Sequence, residues 1–391
     1  MSIASRFQKL LGLEQKSLAT PDPWLLDMFG ALPNASGIVV TPRTAMTSAP
    51  VRRAVQLISE SVGQLPIHVY RRGADGSKER AADHPAYALL HDAVNEWTPS
   101  SKFKEEITRD ALLYPNGGFA YINIVDGKPF ELTRLNPDDA PVIVKFENSE
   151  PTYHVGNRVI PRQNILHIPS PSLNGCGLVH DAREAIGLAI ALDRHAAKLM
   201  GNGARPSGLL SFPANTGPDT LTRGKAAWQA THGGDKSGGT AVIPGDVKWQ
   251  SLTFTSVDAQ FMEMRRFAIE EIARVFGCPP HMLFEMGRAT WSNSEQMGQE
   301  FLTYSLMIWV KRWEAEIRLK LFSPEERSIY IAEFLTDDFA RADQAARMES
   351  YSKAIAARIL NPNEARAAEN RAPYAGGEVF ENPHTSTAEA A

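Results

Sequence analysis

Apolar residues recur first at helical spacing. Val51, Val55, Ile58 and Val62 share one face of a helix predicted over residues 48–63, with Pro50 in its first turn and Gly63 at its end. The period then drops to two, and residues 65–70 (Leu-Pro-Ile-His-Val-Tyr) read as a strand. A turn at 72–77 leads to helices over 84–95 and 101–113, the second opened by Ser101 and Glu105 as a capping signal. Asn116-Gly-Gly118 turns the chain into a strand over 119–125, and Asp126-Gly127 supplies a hairpin turn. Short strands over 131–135, 142–146, 152–155 and 165–168 complete an α+β unit.

The pattern changes after residue 180. Residues 181–200 form one alanine-rich helix, a composition that favours helix and lets backbones approach closely. Residues 205–257 alternate short strands (208–212, 240–243, 247–254) with a helix over 219–231, separated by glycine-rich turns. About 50 residues bury too little surface to stand alone, so this insert leans on something else. A second long helix runs over 258–276 from an Asp258 N-cap, and Gly277 with Pro279-Pro280 ends it. After a loop at 281–291, a third long helix starts at Ser292 or Ser294 and reaches Leu321. A strand over 329–334 and helices over 341–360 and 362–370 follow. Residues 1–44 read as a flexible arm, and 373–391 as a disordered tail.

Composition narrows the classes. Hydrophobic residues make up 43% and charged residues 22% of 391, which suits a globular chain of two or three units. Two cysteines, Cys176 and Cys278, give neither a disulfide framework nor a zinc motif. No apolar run is long enough to span a membrane, and residues 1–18 lack the form of a signal peptide. The formal net charge of −4 argues against tight DNA binding, which draws on a surplus of basic residues. Contact with nucleic acid is expected to be weak or confined to few residues.

Most candidate chemistry has a plain structural reading. His84 and His91 lack a third metal ligand and read as surface or capping residues. Asn174-Gly-Cys-Gly177 lacks the rest of a phosphate-binding loop and reads as a turn. Ser292 and Ser294 near His281 have no nucleophile elbow around them and read as helix caps. Asp181, Arg183 and Glu184 read as a solvated helix face, and Trp309 with Trp313 as core or subunit interface. No catalytic, cofactor or metal site emerges.

Three segments in order carry a family resemblance. The run from Pro50-Val51 through Glu60-Ser-Val-Gly-Gln-Leu-Pro-Ile-His-Val-Tyr70, the junction Asn202-Gly-Ala-Arg-Pro-Ser-Gly-Leu209, and Ile272-Ala-Arg-Val-Phe-Gly-Cys-Pro-Pro280 followed by Ser292-Asn-Ser-Glu-Gln296 resemble the HK97-like family of phage portal proteins over roughly residues 44–370. Departures are Asn116-Gly-Gly-Phe-Ala120, Cys278 and His281-Met-Leu-Phe284.

The resemblance implies a portal fold. Residues 45–180 and 294–340 would be an α/β wing, 181–204 and 258–280 a two-helix stem, and 205–257 a small α/β clip. Residues 281–293 would be a tunnel loop before the long helix, and 341–372 a short helical crown. It implies a homo-oligomeric, dodecameric ring at one capsid vertex in the virion, assembled in the host bacterial cytoplasm. The ring would conduct double-stranded DNA in packaging and ejection. Its partners would be the terminase large subunit, the head–tail adaptor and the major capsid protein, with no membrane, no cofactor and no catalysis.

The tunnel loop would contribute Phe284, Glu285, Met286, Arg288, Thr290 and Trp291 to the channel. Stem candidates for its lining are Glu263, Arg266, Glu270 and Arg274. Lys225, Lys236 and Lys248 in the clip either face an acidic partner or keep the insert soluble. Two other classes stay open: an α+β hydrolase or transferase, which would need an acid–base or metal constellation, and another virion part such as a head–tail adaptor.

Overall fold

The computed structural model describes residues 34–73, 76–173, 175–201, 208–211, 216–232, 248–251, 256–285, 298–336, 344–369, 371–380 and 382. In chain order the elements are α1 (Pro42–Ala45), α2 (Ala49–Gln64), β1 (Ile67–Arg72), β2 (Lys78–Arg80), α3 (Pro85–His91), β3 (Ala93–Asn95), β4 (Thr98–Pro99) and α4 (Ser100–Leu113). Then come β5 (Gly117–Val125), β6 (Lys128–Arg134), β7 (Val142–Glu147), β8 (Glu150–Val155), β9 (Arg158–Ile160), β10 (Ile165–Pro169), α5 (Leu178–Asp181) and α6 (Arg183–Gly201). The remainder is β11 (Gly208–Ser211), α7 (Pro218–His232), β12 (Lys248–Ser251), α8 (Ser256–Phe276), α9 (Met307–Lys320), β13 (Tyr330–Phe334), α10 (Gln344–Ala356) and α11 (Pro362–Ala368). This is the α+β mixture expected. The chain forms two compact units, residues 1–51 with 182–272 and residues 52–181 with 273–391.

In the first unit α6 and α8 run antiparallel. Asp193 pairs with Arg265 at 2.8 Å, and two residues further along α6 His195 meets Phe261, four residues back along α8. Ile186, Ile190, Ala268 and Ile272 are buried apolar positions of these helices. Between them β11 pairs antiparallel with β12, from Gly208↔Ser251 to Ser211↔Lys248. The expected strand over 240–243 lies outside the described residues. Helix α8 begins at Ser256, ahead of the expected Asp258 cap.

Residues 34–45 are not the free arm expected. Asn34 donates to the Arg183 carbonyl at 3.1 Å, and its Oδ1 accepts from the Ser36 and Ile38 amides. Gly187 makes room for it, since a Cβ there would lie 1.7 Å from Asn34 Nδ2. The Ala35 amide donates to Glu184 Oε2. The charged start of α6, expected to be solvated, thus tethers the preceding segment. Thr41 and Thr44 then form a reciprocal capping box on α1.

The second unit is built on two three-stranded antiparallel sheets, β10–β5–β6 and β13–β1–β2. Strand β13 returns from the far end of the chain to pair with β1, from Ile67↔Phe334 to Arg71↔Tyr330. Helix α4 lies on β5, and α9 touches both β10 and β13. Trp309 and Trp313 are core residues: Trp313 is 1% exposed, packs edge-on against Phe103, and donates to Thr108 Oγ1 at 3.0 Å. Burying its ring and satisfying its N–H together make it a strong anchor. Asp126 and Gly127 both have positive φ in the β5–β6 hairpin, as that turn requires. A third sheet, β7–β8–β9, packs through Tyr153 on Phe119 and Ile165.

Several boundaries move. The helix expected over 84–95 stops at His91, because residues 93–95 are drawn into pairing with β4. Ser101 is not a cap: α4 begins at Ser100 after Pro99, and Ser100 Oγ donates to the Leu90 carbonyl. His84 does cap, accepting from the Ala86 amide through Nδ1. The helix expected over 181–200 is divided at Ala182 into α5 and α6. Residues 371–380 are not featureless either, since Asn363 holds a turn at Tyr374–Gly377 through three hydrogen bonds.

Candidate channel segment and its anchor

Helix α8 ends in a Schellman cap. Gly277 takes φ +66, its amide bonds to the Arg274 carbonyl at 3.3 Å, and the Cys278 amide reaches back to Ala273 at 2.9 Å. Cys278 is buried, which pushes its thiol up to about 12 against the opposing pull of Arg53. Pro279 and Pro280 then forbid further α-helix, and residues Pro280–Leu283 wind as a 3-10 turn. The Phe284 amide donates to His281 O at 3.0 Å and the Glu285 amide to Pro280 O at 3.2 Å. Leu283 is buried beneath this turn. Burial lowers the His281 imidazole below its ordinary value, opposed by Glu300.

Phe284 is the exposed product of this turn. Its φ of +65 is a left-handed conformation that costs a non-glycine residue roughly 1 kcal/mol or more. The residue is 76% exposed, and the Arg53 guanidinium lies 5.3 Å from its ring centre. Arg53 Nε also donates to the Met282 carbonyl at 3.3 Å. One cation from α2 therefore fixes both the turn and the aromatic it presents.

The far end of the segment returns to the same block. Residues 298–300 are helical, and Phe301–Leu306 take the π form before α9. Ser305 Oγ donates to the Gly277 carbonyl. Residues up to Glu285 and those from 298 onward thus belong to one packed unit, whose Phe301, Leu306 and Leu283 are buried.

Of the expected tunnel-loop residues, Phe284 and Glu285 stand at this exit, while Met286, Arg288, Thr290 and Trp291 lie outside the described residues. Glu263, Arg266, Glu270 and Arg274 are spaced three, four and four apart, which sets them on one face of α8. Glu263, Arg266 and Arg274 are exposed, with Phe267 on the same face about half exposed. Acidic and basic residues alternate along that face, so it carries no net charge of one sign. Lys225 lies on α7 and Lys248 on β12, and Lys236 lies outside the described residues. Among the described residues, no cluster of three His, Cys, Asp or Glu side chains could hold a metal, and no helix is long and apolar enough to cross a membrane. Arg53 and Ser305, which do the anchoring, are not singled out by sequence; each is an isolated polar residue in a helix, with no motif around it.

The model of the phage portal protein family matches residues 49–370. The chain belongs to the phage portal protein family. That span includes both α8 and the anchored segment. This portal-family chain is 30% identical over 413 aligned positions to the probable portal protein of Streptomyces phage phiC31, covering 94% of the chain and 83% of that protein. It is 26% identical to the portal protein of Enterobacteria phage HK97, covering 84% and 80%. Its fold matches a chain in the neck of a native gene transfer agent particle, computed with C12 symmetry, at a TM-score of 0.57 and 20% identity, covering 89% of this chain and 99% of that one. This portal-family chain therefore shares the mixed helix-and-sheet fold of that chain.

Proposed function

We propose that copies of this chain form a closed, dodecameric ring at one vertex of a phage or gene-transfer-agent head. Double-stranded DNA passes through its bore during packaging and ejection. The terminase large subunit docks on it during packaging and the head–tail adaptor afterwards, with the major capsid protein around it. In this reading residues 45–180 and 294–340 are the wing, 181–204 and 258–280 the stem, 205–257 the clip, 281–293 the tunnel loop and 341–372 the crown. The ring is a mechanical part, and a separate ATPase supplies the work.

The observation that carries the reading is the succession along the chain. An antiparallel pair, α6 and α8, brackets a small insert, and the second helix leads at once into the capped turn at 277–285, which Ser305 ties to the helix that follows in the chain. A net charge of −4 supports a bore that lets DNA slide, because phosphate contacts repeated by every subunit would multiply into an immobile complex. The mixed charges along Glu263, Arg266, Glu270 and Arg274 agree with that. The test is deletion of Met286–Trp291 in the particle-producing system. Rings should assemble normally while the yield of DNA-filled particles falls. Unimpaired packaging by the deletion would remove the loop from the mechanism.

A further inference from the structure

Helices α10 and α11 enclose a cleft of about 420 Å³. Its walls are apolar: Met348, Tyr351, Ile355, Pro362, Ala365 and Tyr374. Its rim is basic. Arg366 and Arg371 stand there, and the single carboxylate, Glu369, is already engaged by Arg347 at 3.0 Å and by the Tyr351 hydroxyl at 3.2 Å. Arg366 is held in place by the Ala372 carbonyl at 2.7 Å and lies over the Tyr374 ring. An occupant should therefore be a short apolar segment with acidic flanks.

This chain carries such a segment. Just past the turn that Asn363 fixes, Val379 and Phe380 are exposed to 50% and 46%. Glu378 precedes them and Glu381 follows them. Residues 378–391 hold three glutamates and no lysine or arginine. Neither Val379 nor Phe380 lines the cleft of its own chain. The N-terminal residues Ile3, Phe7, Leu10 and Leu11, by contrast, sit among Arg6, Lys9 and Lys16 with only Glu14 opposing, and a basic rim repels them.

We propose that Val379 and Phe380 of one copy seat in the α10–α11 cleft of a second copy. Glu378 and Glu381 then face Arg366 and Arg371 across the rim. Repeated around a ring, the contact would link each subunit to the next through the C-terminal helices. It rests on the ring reading above for its arrangement in the particle, and on the cleft and the segment for its chemistry. Each link can be weak, because neighbours already held in one assembly meet at high effective concentration.

The test uses full-length chains in a Cys176→Ser background. A Met348→Cys chain and a differently tagged Phe380→Cys chain are co-expressed, oxidised and resolved by size. Disulfide-linked pairs carrying both tags are expected at about tenfold or more over a Leu173→Cys partner, which lies off the cleft. Adding Glu378→Lys and Glu381→Lys should suppress them. Absence of mixed-tag pairs, or a bond formed only within the Met348→Cys/Phe380→Cys double variant, overturns the proposal. So does efficient linking of Met348→Cys to Phe7→Cys in place of Phe380→Cys. Mass measurement on the same samples separates the two readings: rings without mixed pairs refute this contact alone, and mixed pairs without rings refute the ring alone.

Discussion

Replacing Arg53 with alanine removes two contacts from the root of the proposed channel segment in one step. The first is the hydrogen bond from Nε to the Met282 carbonyl, which at 3.3 Å is a long one and contributes about 0.5–1.5 kcal/mol. The second is the guanidinium over the Phe284 ring at 5.3 Å, which at an exposed site contributes about 0.5–1 kcal/mol. Their sum, about 1–2.5 kcal/mol, acts on a turn whose amides have few other supports. At about 1.4 kcal/mol per tenfold, local opening of that turn should rise roughly 5- to 60-fold. Native-state hydrogen exchange reads this directly at the Phe284 and Glu285 amides, which bond to His281 O and Pro280 O. Amides in the middle of α4, away from the turn, should keep their protection. Arg53→Lys keeps the charge but not the planar fork, and should fall between wild type and alanine. Unchanged exchange at 284 and 285 in the alanine variant would show that Arg53 does not hold this exit.

His167 gives a pH signature: burial holds its imidazole down at about 4, and Asn116 O accepts from Nε2 at 2.7 Å. The unfolded residue takes up its proton near 6.5, so stability falls as pH drops from about 6.5 and the loss is complete near 4, at about 3 kcal/mol. Denaturant titrations of wild type and His167→Asn should converge by that amount across the window, and parallel curves would refute the assignment. Gly118→Ala should cost about 1–3 kcal/mol in the same assay, because its Cβ would lie 2.2 Å from the Ile107 carbonyl where β5 passes under α4. A loss under about 0.5 kcal/mol would mean that α4 moves aside freely.

Sequence periodicity carried the long helices and most strands of this chain, because α2, α4, α8 and the β5–β6 hairpin each have one consistent apolar face and their own turn chemistry. It failed where distant residues decide. The end of α3 is set by β3 pairing with β4, and the start of α4 by a serine bonded to Leu90 instead of its own helix. Strand β9 is three residues long and exists through its register with β8, from Tyr153↔Ile160 to Val155↔Arg158. The charged start of α6 looks solvated in sequence because Asn34, which it binds, lies 149 residues earlier. The candidate site divides in the same way. Gly277, Pro279 and Pro280 mark the exit in sequence, since each dictates its own backbone. Arg53 and Ser305 do not, since only the folded chain brings them to Met282 and Gly277.

The central claim is the ring. Purified full-length protein, imaged by negative-stain electron microscopy and weighed by mass photometry, should give closed rings with a central hole and a single dominant mass near twelve times 43.0 kDa. Compact monomers or dimers that persist at high protein concentration would contradict it.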